Sequence, residues 1–217
     1  MHEHPSDLTA GTLLAGYAQG IFPMAESRDG AHLHWVNPRL RGIFPLDGFR
    51  ISRSLRRRIG REDYVIRINT AFSRVVALCG DRDETWINRP LERLYDELHN
   101  LGHAESLEVW QDGELVGGVF GVTLAGAFFG ESMFSRRTDM SKIALAYLVD
   151  RLRQTGFSLF DTQFLTPHLA SLGAVEIARA AYLTMLANAL TRRQAAFRGP
   201  QPLPDAQSLL QRRTQIS

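Results

Sequence analysis

The chain of 217 residues carries a single cysteine, Cys79, which leaves it without a disulfide framework or a thiolate metal site. Lysine is equally scarce: of 25 basic residues only Lys142 is a lysine. No apolar run approaches the roughly 20 residues a membrane span needs, and residues 1–7 are polar with no signal-peptide core, so a cytoplasmic protein with no membrane association is expected. The seven histidines are scattered or fall in His-x-His pairs, His2/His4 and His32/His34, with no third ligand suggested. No metal site is therefore expected. No internal repeat is visible. What the chain does have is 44 % hydrophobic residues, enough to bury a substantial core as one large or two small domains. Cys79 falls near the end of a helix expected over residues 70–79, where a small buried filler and a nucleophile are both open.

The formal net charge is only +2, but Arg50, Arg53, Arg56, Arg57, Arg58 and Arg61 fall in a stretch that contains no acid. On a helix, Arg53, Arg57 and Arg61 share one face. A solvated basic face is one reading. The other is a phosphate footprint, since guanidinium groups bind phosphate oxygens bidentately and without sequence preference.

Patterning gives the middle of the chain a definite order. Residues 106–111 alternate as a strand, Asp112-Gly113 is a hairpin turn, and residues 114–123 return as a second strand. Leu124-Ala125-Gly126 then turns the chain into a third strand over residues 127–132, completing an antiparallel meander. Residues 142–153 read as a helix with Ile143, Leu145, Ala146, Leu148, Val149 and Leu152 on its apolar face, ended by Gly156. Residues 159–163 form the next strand, reached by a right-handed crossover and parallel to a strand of the meander. Glu131 beside Gly130 in an apolar strand, with Asp161 and Gln163 two apart on another, is the layout of a buried chemical site.

The first third differs. Residues 9–19 make a short helix with Leu13, Leu14 and Tyr17 available for packing, stopped by Gly20, and an aromatic, proline-rich irregular stretch follows to about Asp47. A later helix is capped by Asn88, has Pro90 in its first turn, presents Leu91, Leu94, Tyr95, Leu98 and Leu101 on one face, and ends at Gly102. The expected organisation is an α+β fold: a small N-terminal domain over residues 1–47, a main domain over 48–200 with a mixed central sheet flanked by helices, and a mobile polar tail over 201–217. For Trp86, Tyr95 and Phe128, core packing and a ligand platform are both open.

Taken together, Tyr17-Ala18-Gln19-Gly20-Ile21-Phe22-Pro23, Thr85-Trp86-Ile87, residues 103–110 (HAESLEVW), Leu115-Val116-Gly117-Gly118, residues 130–136 (GESMFSR), Ser141-Lys142, Asp161-Thr162-Gln163 and residues 168–174 (HLASLGA) closely resemble the leucyl/phenylalanyl-tRNA–protein transferases. The match runs in order from about Leu8 to Leu190. It implies an aminoacyltransferase of the bacterial N-end rule pathway that moves Leu, Phe or Met from aminoacyl-tRNA to proteins beginning with Arg or Lys, marking them for degradation. It also implies a main domain similar to the GNAT acetyltransferases, which agrees with the meander, helix and strand read above. Acetyl-CoA chemistry itself is disfavoured, because residues 136–141 (RRTDMS) contain no glycine through which backbone N–H groups could cradle a pyrophosphate. A serine hydrolase is disfavoured as well, since GESMF lacks the second glycine of a nucleophile elbow.

The resemblance further implies site residues. Asp161 and Gln163 match residues proposed as a proton-accepting relay, with positioning alone as the alternative. Glu131 matches a residue at the donor end, with a structural ion pair as the alternative. An apolar slot for the transferred side chain would be built from Met133, Leu145, Phe160 and Val119, the last two standing where relatives have isoleucine and methionine. Trp86, Tyr95 and Phe128 match aromatics around the terminal adenosine, Ser135 lies in the same motif, and Met24 stands where some relatives have tryptophan. Arg53, Arg56, Arg57, Arg58 and Lys142 are the candidate contacts to tRNA phosphates. No cofactor is implied, and the partners are the aminoacylated acceptor end and the acceptor protein; a monomer is expected. A noncatalytic tRNA- or peptide-binding relative, or a transferase acting on a small amine, are the competing functions. For reading the acceptor's cationic residue, Glu105, Glu108 and Glu114 are open without a spacing argument to choose among them.

Overall fold

The computed structural model describes residues 2, 3, 8–25, 27, 28 and 33–214. The side chains of the His2/His4 pair and His32 lie outside them. The chain opens with a two-residue strand, β1 (His2–Glu3), and a helix, α1 (Ala10–Ala18), whose start is fixed by a capping box. Thr9 Oγ1 accepts from the Thr12 N–H at 3.1 Å while the Thr9 N–H donates to Thr12 Oγ1 at 2.8 Å. Gly20, at φ 78°, ends the helix in a conformation that suits glycine.

The stretch expected to be irregular is instead three short strands: β2 (Phe22–Ala25), β3 (Leu33–Val36) and β4 (Leu40–Ile43). β2 and β3 pair antiparallel, with β1 on the other edge of β3. Its prolines and aromatics had suggested loop, but Phe22 and Leu33 alternate inward against Tyr17 and the core. β4 is not part of this small sheet but belongs to the main one.

The main sheet adds β5 (Val65–Ile68), β6 (Ala104–Gln111), β7 (Glu114–Leu124), β8 (Ala127–Ser135), β9 (Leu159–Gln163) and β10 (Val175–Ala178), in the order β10-β4-β9-β8-β7-β6-β5. The meander is present, with Asp112 and Gly113 both at positive φ (54° and 78°) as a tight I′ hairpin requires. β8 and β9 are parallel neighbours joined through α5 (Met140–Gln154), and every other pairing in the sheet is antiparallel.

Each face of the sheet carries its own apolar cluster. On one, α1, α3 (Phe72–Gly80), α4 (Arg89–Asn100) and α7 (Arg179–Leu190), which follows the short α6 (Pro167–Ser171) and β10, bury Leu13, Tyr17, Val75, Leu91, Tyr95 and Tyr182. On the other, α5 packs with α2 (Arg53–Ile59) and α8 (Ala206–Thr214), burying Leu55, Ile59, Leu145, Leu148 and Leu209. The Asn88 side chain accepts from the Leu91 N–H at 3.1 Å to start α4. That helix ends at Asn100, and Leu101, expected on the buried face, is 60 % exposed just beyond the last turn. Cys79 is buried near the end of α3 with its thiol pushed up to about 12 by desolvation, which fits a packing role.

Of the stretch expected as a polar tail, residues 201–214 are described and lead into α8, while residues 215–217 lie outside the described residues. Arg151 donates to the carbonyls of Phe197 (2.8 Å) and Gly199 (2.7 Å), tying down the strap that leads to α8. Leu209 is then buried, and Arg212 pairs with buried Asp150 at 2.8 Å. Polar composition had suggested mobility, yet Ala206, Leu209 and Arg212 on one side of the helix dock it against the main domain.

Candidate active site

The C-terminal end of β9 runs beside β4 with Gly42 opposite Gln163 and Ile43 opposite Asp161, which leaves Thr162 as the extra residue of a bulge. Gly42 permits this close approach: a Cβ there would lie 2.6 Å from the Phe164 carbonyl carbon. Gln163 sits at φ 56°, a strained position for a residue with a side chain, and strain of this kind gathers where a group must be aimed.

Asp161 faces inward. Its two oxygens accept from Arg41 Nε (2.9 and 3.1 Å), Arg41 Nη2 (2.6 Å), Tyr182 Oη (2.7 Å) and the Gln163 N–H (2.8 Å). Arg41 also donates to the Gly20 carbonyl at 2.9 Å, and its guanidinium lies over the rings of Phe22 and Tyr182 at 4.6 and 4.5 Å. The aspartate is thus a buried, fully engaged anion that holds the backbone of Gln163 and ties the N-terminal unit to the main sheet.

Glu131, on β8, accepts from Tyr17 Oη at 2.6 Å and from Tyr95 Oη at 2.8 Å, with Gln163 Nε2 at 3.4 Å. Desolvation dominates its charge state and raises its pKa from 4.5 to about 7, against the opposing pull of the two tyrosine hydroxyls. Burial also pushes both tyrosines well above their ordinary range, so they remain donors. Because Nε2 of Gln163 is turned to the glutamate, its carbonyl oxygen is left to accept a hydrogen bond from something else.

Glu131 and Gln163 open onto a cavity of about 950 Å³. Val119, Met133, Leu145 and Phe160 line it, as do Trp86 and Ser135. Phe160 stacks on Phe44 (5.6 Å between centroids) and meets Phe128 edge-on at 5.3 Å, which fixes the floor of the apolar part. Ser135 also works structurally, since its hydroxyl accepts from the Ser141 N–H at 3.2 Å at the start of α5.

Not every expected residue reaches the cavity. Tyr95 and Phe128 are both buried and absent from its lining, Tyr95 under Glu131 and Phe128 stacked on Phe197 at 5.8 Å behind Phe160. Of the three aromatics only Trp86, edge-on to Tyr95 at 6.5 Å, offers a face to a ligand. Lys142 is paired with Asp139 at 2.7 Å, which explains a cation in the first turn of α5 without any ligand. Arg53, Arg56 and Arg57 are exposed on α2, away from the cavity lining, whereas Arg58 is held by Asp63 at 2.5 Å. Glu105 is buried against Arg198 and Asn69, Glu108 accepts from the Ala71 N–H and Trp110, and Glu114 pairs with Arg137; none lines the cavity. Among the described residues there is no group of three or more His, Cys, Asp or Glu placed to hold a metal ion.

Three residues that matter here gave little warning. Arg41, two residues after Arg39, lies in no motif, and Asp81 and Arg82, which line the cavity mouth, follow α3 just ahead of the Thr85-Trp86-Ile87 motif without being part of it.

Comparison with known proteins bears on the chain as a whole. Residues 43–187 match the family model described as leucyl/phenylalanyl-tRNA protein transferase, and residues 6–39 match the model of that family's N-terminal domain. A leucyl/phenylalanyl-tRNA–protein transferase of Cereibacter sphaeroides is 62 % identical over 98 % of this chain and 99 % of its own length. One from a Ruegeria species is 62 % identical over 97 % of this chain and 99 % of its own. Among solved structures, FemX has a TM-score of 0.49 at 14 % identity, covering 80 % of this chain and 70 % of that one. A GCN5-related N-acetyltransferase from Kribbella flavida has a TM-score of 0.42 at 14 % identity, covering 66 % and 55 %. Likeness at that level carries no functional weight.

Proposed function

The chain belongs to the leucyl/phenylalanyl-tRNA–protein transferase family, and from that premise we propose that it transfers Leu, Phe or Met from aminoacyl-tRNA to the N-terminal residue of proteins beginning with Arg or Lys, within the cavity above. The observation that carries this reading is the convergence of Glu131, Gln163 and the apolar quartet Val119, Met133, Leu145 and Phe160 on one space.

The donor is already an activated ester, and an acceptor α-amine with a pKa near 7.7 is substantially neutral at ordinary pH, so little nucleophile activation is needed. What the site must supply is orientation, which can itself contribute several kcal/mol. The apolar quartet takes the transferred side chain, Trp86 stacks on the terminal adenine, and Glu131 with its two tyrosines holds the donor's α-amino group. The free carbonyl oxygen of Gln163 accepts a hydrogen bond from the incoming amine. The amine nitrogen bonds to the ester carbonyl, the ester C–O bond breaks, and the amine proton ends on the leaving ribose oxygen. Asp161, with both oxygens occupied and no share in the cavity lining, fits positioning better than proton acceptance. Tyr95 and Phe128 support the site from beneath it.

Arg53, Arg56 and Arg57 on α2 form the exposed basic surface for acceptor-arm phosphates, Arg58 and Lys142 contributing only on release from their aspartates. No described helix is long and apolar enough to cross a membrane. The proposed enzyme is a cytoplasmic monomer whose products enter N-end rule degradation. The test is transfer of radiolabelled leucine from Leu-tRNA to a protein beginning with arginine beside the same protein beginning with serine. Labelling of the arginine form alone, abolished by ribonuclease, is the expected result; binding of Leu-tRNA with no labelling would leave a noncatalytic tRNA-binding protein.

A further inference from the structure

An acceptor that begins with Arg or Lys brings a cation to the cavity, and a carboxylate with spare acceptor capacity has to meet it. Among the described residues two carboxylates line the cavity, Glu131 and Asp81. Glu131 is buried and already committed to two tyrosine hydroxyls and, in the function proposed above, to the donor's α-amino group, whereas Asp81, 70 % exposed at the mouth, holds one long contact, 3.4 Å to the Arg136 guanidinium, itself 56 % exposed. We propose that Asp81 reads the cationic N-terminal side chain of the acceptor, which displaces Arg136 from it; this inference rests on the transferase function above.

Three features favour it. Arg136 presents to Asp81 the same guanidinium that an N-terminal arginine would, so the geometry of the complex is already rehearsed within the chain. Asp81 is also the C-cap of α3, where a carboxylate adds to the negative end of the helix dipole and is disfavoured for folding. A residue that weakens its own helix and concentrates negative potential at a cavity mouth is well placed to attract a cation. Finally, the loop is braced rather than loose. Arg28 donates to the carbonyls of Gly80 (2.6 Å) and Arg82 (2.9 Å), and Arg82 donates to Ser132 Oγ (2.8 Å) and the Met133 carbonyl (2.6 Å). With Arg82 committed to β8, Arg136 is the cation an acceptor must displace.

The experiment compares peptides beginning with arginine or with citrulline, its neutral isostere, at saturating Leu-tRNA. Wild type should prefer arginine, and Asp81→Asn should lower the arginine-to-citrulline ratio of kcat/KM about tenfold or more, acting through KM, as loss of a charged hydrogen bond does. Asp81→Glu should restore the preference, which a merely structural role does not explain. Arg136→Gln, by removing the internal competitor, should lower KM for the arginine peptide. An Asp81→Asn enzyme that keeps the wild-type ratio, with an unchanged thermal midpoint to show that it is folded, would overturn the assignment. A wild type that modifies neither peptide overturns the transferase function, and this inference with it.

Discussion

Replacing Glu131 by glutamine should make the protein's stability less dependent on pH, and the size of the change follows from the site. The folded carboxyl titrates near 7 because it is desolvated beneath Tyr17 and Tyr95, against an ordinary 4.5 in the unfolded chain. The folded state therefore holds an extra proton between those values. Its stabilising contribution is complete below about 4.5 and is lost as pH rises through about 7. At about 1.4 kcal/mol per pH unit of displacement, the loss is on the order of 3 kcal/mol. Glutamine keeps an oxygen to accept from the tyrosines and cannot ionise, so that loss disappears. Urea unfolding of both proteins at pH 5 and pH 8 should show the variant gaining on wild type by on the order of 3 kcal/mol between the two conditions. A stability difference identical at both pH values would mean that Glu131 is ionised throughout, and the desolvation argument would fail.

Asp161→Asn should cost about 3–5 kcal/mol in unfolding free energy, because it strands the buried Arg41 guanidinium without its anion; a loss below about 1 kcal/mol in chemical denaturation would contradict this. Phe160→Leu opens the floor of the apolar slot, so competition between Leu-tRNA and Phe-tRNA should shift toward Phe by up to about tenfold, in keeping with the 1–3 kcal/mol such a slot can discriminate. Arg53→Gln and Arg57→Gln should each reduce the slope of log Kd for tRNA against log salt by about 1, whereas Arg58→Gln, already neutralised by Asp63, should leave it nearly unchanged; equal effects at all three positions would count against a phosphate surface on α2.

The sequence was most legible where a period or a turn decided the local structure. The Asp112-Gly113 turn between β6 and β7, with both residues at positive φ, the return of β8 after Gly126, and the broad apolar face of α5 follow from turn residues and spacing. The burial of Tyr95 was implicit in its place with Leu91, Leu94 and Leu98 on one helical face, even though resemblance drew it toward a ligand. Other features had no local mark. Arg41 gains its importance from Asp161, 120 residues later in the chain, and β4 reaches the main sheet because Gly42 allows close approach to Phe164. α8 was hidden by its polar composition, since docking needs only Ala206, Leu209 and Arg212 on one side. Lys142 stood out as the chain's one lysine, but its charge is answered three residues away by Asp139.

A single turnover with radiolabelled Leu-tRNA, excess enzyme and a peptide beginning with arginine, with the enzyme, the peptide and the tRNA separated at successive times, tests most directly whether this cavity transfers the residue by orientation alone. Direct attack within the cavity predicts that label leaves the tRNA and appears on the peptide at the same rate, with none on the protein at any time. Leucine covalently held by the enzyme before the peptide is labelled would contradict it, and would give a side chain such as Glu131 the role of nucleophile.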